Sequence, residues 1–205
     1  NLKWCVTFDQ DTEMLPNFSR VLEEQVEILG DQRDETIIGQ NYINHDRSKK
    51  AYATSGFTRL NRPIVTSGTA YPLKVFQDIG FFDEQLFIEG IDTEFCLRIL
   101  YRNRSIYVGS EVAMIHGSGN DQSVNLLGRV INVSGHSPYR FYLQWRNNIY
   151  AHQKYSKGML PLLATIGPNL LRNLIVTILF DTNRFAKLRE CILGVLDGFR
   201  GDLTR

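Results

Sequence analysis

The sequence predicts an α/β layer domain that passes into an all-helical part from about Tyr139. Three observations predict it. Short apolar runs alternate with helical spacings up to about Pro138. Hydrophobic residues make up 43% and charged residues 22% of the 205, the balance of a globular chain with a sizeable core. From Tyr139 onward the readable segments are helices. The division drawn from this change is 1–138 and 139–205.

Each element follows from its own signal. Leu2 to Phe8 reads as a buried strand that ends at Asp9-Gln10-Asp11. Phe18, Val21, Leu22, Val26 and Leu29 have helical spacing after Pro16, and Gly30 is a stop. Thr36 to Ile43 is a strand, and Asp46 to Asn61 is polar and irregular around Lys49-Lys50. Pro63 to Tyr71 reads as a strand containing Ser67-Gly68, and Leu73 to Asp78 as a short helix closed by Gly80. Phe81 to Gly90 is a loop rich in aromatics and acids, and Thr93 to Arg104 a helix. Ser105 to Ile115 alternates as an extended segment, while Gly117 to Pro138 is turn-rich and expected to be mobile. Tyr139 to Tyr155 is helical. Gly158 to Phe180 is apolar but broken by prolines and polar residues, and Arg184 to Phe199 is a basic amphipathic helix.

The formal net charge of +1 gives no electrostatic reason to expect nucleic acid as a partner. Cys5, Cys96 and Cys191 are scattered, which argues against a disulfide framework and fits a reducing, cytoplasmic compartment. No signal peptide is visible, and the chain opens directly on a core strand. The expectation is a fragment of a longer enzyme, inactive by itself and self-associating through the exposed strand edge or through apolar surface as a homo-oligomer.

Two constellations carry chemistry. Asp9 and Asp11, two apart on a segment read as extended, lean to one face. Paired carboxylates after a strand suit a hard cation, Mg²⁺ or Mn²⁺, which can hold a diphosphate. The plainer reading is an acidic loop in which Asp11 caps the next helix. A haloacid-dehalogenase phosphatase would also place DxD here, but it wants Thr two positions after the second Asp, where this chain has Glu13. The second constellation ends in Ile91-Asp92-Thr93-Glu94. Asp92 stands where a helix begins, as an N-cap or as a general base. A helix N-terminus favours the carboxylate form. Glu94 and Arg98, four apart, read as a surface ion pair.

In order and spacing, Asp9-Gln10-Asp11-Thr12, Ser67-Gly68-Thr69, Ile79-Gly80-Phe81-Phe82-Asp83-Glu84 and Ile91-Asp92-Thr93-Glu94-Phe95-Cys96-Leu97-Arg98 resemble the inverting GT-A glycosyltransferases of family 2. The resemblance is to the bacterial rhamnosyltransferase branch. It continues through Ile115-His116-Gly117, His136-Ser137-Pro138-Tyr139-Arg140-Phe141-Tyr142, Arg146-Asn147-Asn148 and Leu193-Gly194-Val195-Leu196-Asp197-Gly198. It implies the C-terminal portion of a GT-A fold with a helical tail. It also implies Asp11 as the main metal ligand, Asp9 near ribose or metal, and a late metal or phosphate ligand at His116. Asp92 matches the catalytic base, although many relatives carry Glu-Asp where this chain has Ile91-Asp92. Glu94 aligns with a second acidic position, an acceptor or structural contact. Arg140 and Arg146 match a segment that closes over phosphate or acceptor, although a solvated basic face is the simpler account. His45, His136 and His152 receive no role.

The implied reaction is inverting transfer of a sugar, with dTDP-rhamnose as the donor the branch suggests, to a surface-polysaccharide or lipid-linked saccharide. Another hexosyl donor, a non-catalytic carbohydrate-binding or assembly module, and a metal-dependent phosphatase are the alternatives. In the tail, Leu162, Leu163, Ile166, Leu170, Leu174 and Ile178 fall near one helix face, followed by Arg184, Lys187, Arg189 and Arg200. That pattern fits either peripheral attachment to an anionic membrane surface or packing against protein.

Overall fold

Six strands build the sheet of the first part of the protein: β1 (Trp4–Thr7), β2 (Thr12–Met14), β3 (Thr36–Ile43), β4 (Thr58–Leu60), β5 (Thr69–Pro72) and β6 (Ser105–His116). This computed structural model describes residues 3–44, 50–52, 54–117, 121–126, 129–155 and 167–204. The strand order is β1-β5-β3-β6-β2, with β4 also on β6. Only β3 and β6 run parallel, and the other pairs are antiparallel. Helices α1 (Phe18–Leu29) and α2 (Leu73–Ile79) complete this layer. The mixed α/β class is as the sequence predicts.

The sheet must curl. β1 and β2 lie at opposite ends of the hydrogen-bonded path yet are joined by only Phe8 to Asp11. Four inter-strand spacings of about 4.8 Å would need roughly 19 Å. Five Cα steps reach barely ~18 Å even when fully extended. A hydrogen bond from Thr12 N to Asp9 O, 3.1 Å, shows that the connection turns rather than extends. The segment carrying Asp9 and Asp11, expected to be extended, is therefore a tight turn. β1 is half-buried rather than buried, and within the described residues it pairs only with β5.

β6 is longer than β3, and the register between them slips near Asn41. A bulge frees backbone groups, and Asn41 satisfies them. Its buried amide donates to Tyr52 O at 2.8 Å and Gly109 O at 3.2 Å and accepts from Tyr52 N at 3.1 Å. The strand expected over 63–71 is confined to its end. A turn closes from Thr66 O to Thr69 N at 3.1 Å, with Gly68 at φ 70°. β4 lies in the stretch read as irregular. α1 stops at Gly30 (φ 53°) and α2 at Gly80 (φ 86°), both left-handed positions that suit glycine.

Compactness divides the chain into Asn1–Phe82 with Arg98–Ser118, and Asp83–Leu97 with Gly119–Arg205. The division at 138/139 follows where the sequence turns helical, and the second unit reaches further back along the chain. Along the chain, α3 (Ile91–Tyr101) runs from the second unit into the first. β7 (Asp121–Leu126) and β8 (Arg129–Ser134) form an antiparallel hairpin inside the segment expected to be turns. Its valines and leucines alternate with Asn, Gln and Ser, which hid the strand signal behind turn-type residues. The second unit also holds α4 (Pro138–Tyr155), α5 (Gly167–Phe180) and α6 (Arg184–Arg200). Pro168, expected to break the tail, sits in the first turn of α5, where its missing N–H costs nothing. Leu162, Leu163 and Ile166 lie outside the described residues, as does His45.

α4 and α6 pack closely because α6 is bare at two points. A Cβ on Gly194 would lie 2.5 Å from Tyr142 O, and one on Gly198 2.8 Å from Arg146 O. Glycine four residues apart on one helix face therefore sets the spacing. Tyr142 donates its hydroxyl to Asp197 Oδ2 at 3.0 Å across that seam. Burial pushes His152 down to about 4 and the Cys191 thiol up to about 12. Cys5, Cys96 and Cys191 are thiols that form no disulfide.

Candidate active-site residues

In the first unit the construction starts at the Thr66–Thr69 turn. Thr7 holds it by donating Oγ1 to Thr66 O at 2.6 Å, and Gly68 N donates to Thr7 O at 2.8 Å. Ser67, fully buried, is thereby fixed under the Asp9–Thr12 turn. Asp9 N donates to Ser67 Oγ at 3.2 Å, and Ser67 Oγ lies 2.5 Å from Thr12 Oγ1. Thr12 faces His116 in the β2–β6 register, and its Oγ1 lies 2.9 Å from His116 Nδ1. The ring of Tyr42 meets the imidazole edge-on at 5.3 Å.

This scaffold brings Asp9, Asp11 and His116 together. His116 Nε2 is 3.7 Å from Asp9 Oδ2, and His116 Nδ1 is 3.6 Å from Asp11 Oδ1. One ligand atom from each lies within 4.8 Å of the others, the group of metal-ligand type found among the described residues. The carboxylates are half-exposed and the imidazole is largely covered: side-chain exposures are 56% and 44% against 12%. A fixed nitrogen with two mobile oxygens can close on an ion. The hydroxyl chain allows two proton arrangements. If Thr12 donates to Ser67, it accepts from His116 Nδ1–H, and Nε2 presents a lone pair toward Asp9. If the chain runs the other way, Nε2 carries the proton. A bound cation favours the first.

In the second unit, α3 begins two residues earlier than expected. Glu94 N donates to Gly90 O at 2.8 Å, so Gly90 is the residue that opens the helix. Asp92 lies inside the first turn, not at the cap, half-buried, with Oδ1 accepting from Thr93 N at 3.0 Å. Glu94 is 1% exposed, so the surface ion pair read from its spacing to Arg98 does not describe it. It faces Tyr155, whose phenol is raised by burial and by the Glu94 carboxylate. Arg98, in the first unit, donates Nη1 to Ile79 O at 3.0 Å.

The loop before α3 is held by α4. Asn147 Nδ2 donates to Ile88 O at 3.0 Å and to Glu89 O at 2.7 Å. Arg140 donates from Nε to Glu89 Oε1 at 2.8 Å and from Nη2 to the same oxygen. Arg146 is 2% exposed and donates Nε to Asn147 Oδ1 at 2.8 Å. Of the two arginines read as phosphate candidates, Arg140 thus stands half-exposed on an ion pair and Arg146 is buried among protein groups. Ser67, Thr12, Glu89 and Asn147 had no role assigned from sequence. The signals were present in the Ser67-Gly68 dipeptide and in Gly90 after Glu89, since both glycines take positive φ.

Comparison with curated proteins finds a similar chain in Shigella flexneri, dTDP-rhamnosyl transferase RfbF. The two are 31% identical over 213 residues, spanning 96% of this chain and 69% of the relative. No protein-family model matches the chain.

Proposed function

The chain belongs to the rhamnosyltransferase branch of the family 2 glycosyltransferases, and we propose that it moves rhamnose from dTDP-rhamnose to a surface-polysaccharide acceptor with inversion at the anomeric carbon. The cluster of Asp9, Asp11 and His116 carries this reading. Its donor set, two carboxylates and one imidazole, suits Mn²⁺ or Mg²⁺ and not a thiolate-seeking ion. A divalent cation held there would supply charge neutralisation for a departing diphosphate. Asp9 and Asp11 would supply the oxygen ligands and His116 the nitrogen. Ser67 and Thr12 hold the imidazole's orientation, and a bound cation would select the tautomer with the proton on Nδ1.

Asp92 takes the proton of the acceptor hydroxyl as that oxygen bonds to the anomeric carbon. The bond from that carbon to the diphosphate breaks, dTDP leaves with the electron pair, and the proton stays on Asp92. Glu94, buried against Tyr155, serves as a structural contact in this reading. The test is transfer from dTDP-rhamnose to a lipid-linked saccharide, with Mn²⁺ or after chelation, and the product anomer assigned by NMR. Turnover that survives chelation would remove the metal. A retained anomeric configuration would remove direct displacement. A preference for another nucleotide-hexose would change the donor.

A second reading concerns where the enzyme works. α5 exposes Leu171, Ile175, Ile178 and Leu179, beside the exposed Arg172 and Arg184. Leu170, placed on the predicted stripe, is instead buried. Among the described residues no helix is long and apolar enough to cross a membrane. Peripheral contact with the anionic cytoplasmic leaflet accounts for an apolar face flanked by arginines. Sedimentation with anionic vesicles tests this, and light scattering tests the competing self-association into a homo-oligomer.

A further inference from the structure

Helix α4 carries a stripe that neither the metal cluster nor the base explains. Arg140, Asn147 and Lys154 are seven apart, so they share one helix face. Each holds the segment that precedes Asp92. Lys154 Nζ lies 3.7 Å from Asp83 Oδ2. Asn147 takes the carbonyls of Ile88 and Glu89, and Arg140 takes the Glu89 carboxylate.

The segment so held is strained. Glu89 has φ 65°, a left-handed conformation that is unfavourable for a residue with a Cβ. Gly90 follows at φ 74°, and a Cβ there would lie 2.9 Å from Asn147 Cβ. Two consecutive left-handed residues reverse the chain immediately before α3, which fixes where the first helical turn starts. Asp92 is in that turn. Asn147 is fully buried, and Arg146, itself 2% exposed, sets its amide so that the NH₂ group faces the two carbonyls.

We propose that Asn147, oriented by Arg146, is a positioning residue of the transfer reaction: it clamps residues 88–90 in the conformation that delivers the Asp92 carboxylate. The inference rests on Asp92 as the base. A displacement of about 1 Å at a reacting group can cost on the order of 100-fold, so Asn147→Ala should lower kcat about 10- to 100-fold with donor KM little changed. Asn147→Asp keeps the shape but places an acceptor against two carbonyls, and it should lose as much. Ile149→Val, buried on the same helix, should leave kcat unchanged while costing stability. The deciding measurement is a double-mutant cycle on the full-length enzyme with Asp92→Asn. If Asn147 acts through Asp92, Asn147→Ala costs nothing further in that background. Equal losses in both backgrounds, or full activity of folded Asn147→Asp, would overturn the clamp. Normal turnover by Asp92→Asn alone would overturn the base, and the clamp with it.

Discussion

The cluster around His116 and the segment around Asp92 place acidic groups by opposite means. Asp9 and Asp11 sit with half-exposed carboxylates on a turn of four residues, and buried Ser67 beneath them holds the turn's backbone and, through Thr12, the imidazole. Asp92 sits at the end of a strained segment fixed by buried polar side chains. The contrast follows from what each group must do. Metal ligands have to close on an ion and can tolerate rotation, provided one ligand is fixed. A base has one productive position, so its backbone must be set in advance. The first arrangement leaves its acidic side chains half-exposed, and the second fixes the backbone that leads into its acid.

The largest expected effect lies in the second arrangement. Asp92→Asn preserves shape and removes basicity, so kcat should fall by about 10²–10⁴-fold while Mn²⁺ affinity stays at the wild-type value. A loss of both would mean that the two regions do not divide the work.

The buried polar framework also predicts a pH response. His152 is held near 4, below its ordinary value of 6.5, so the unfolded chain binds more protons between those values. Its contribution, on the order of 3 kcal/mol, is complete above about pH 6.5 and is lost as pH falls toward 4. Urea midpoints should decline over that window, and His152→Gln should flatten the decline. An unchanged slope in that variant would assign the acid sensitivity elsewhere.

Gly194→Ala sets two effects against each other. Alanine should favour a helix by about 1 kcal/mol over glycine. Its Cβ would meet the Tyr142 carbonyl oxygen at 2.5 Å, a backbone atom that cannot swing away. Overpacking of this kind costs about 1–3 kcal/mol, so a lower melting temperature is expected. A higher one would show that α4 and α6 are not in close contact.

The smallest effect belongs to the first arrangement. Thr12→Val keeps the volume and removes the hydroxyl that links Ser67 to His116. Outer ligand contacts are worth about 10- to 100-fold in metal affinity, and one half-buried at the start of a strand should lie near the lower figure. Electron paramagnetic resonance of Mn²⁺ reads this directly, and wild-type affinity in the variant would show that His116 is oriented without Thr12.

Much of this was legible in the sequence, and the failures have physical causes. β3, α1, α2, α4 and α6 match their signals because each has a clear period or a glycine stop. The β7–β8 hairpin was hidden by turn-type residues alternating with its valines. The acids Asp9, Asp11 and Asp92 could be singled out by order and spacing. Their supports could not, since Ser67, Thr12 and Asn147 act on residues far along the chain: 58 positions separate Asn147 from Glu89. No local pattern marks a partner at that distance. Glu94 shows the same limit, because helical spacing suggested a surface pair and only the fold reveals its burial against Tyr155.

The division of labour between the two regions is tested most directly by titrating Mn²⁺, with dTDP present, into the full-length wild type, Asp11→Asn and Asp92→Asn. Matching affinity is expected for wild type and Asp92→Asn, and none measurable for Asp11→Asn. Binding by folded Asp11→Asn with wild-type affinity would contradict it.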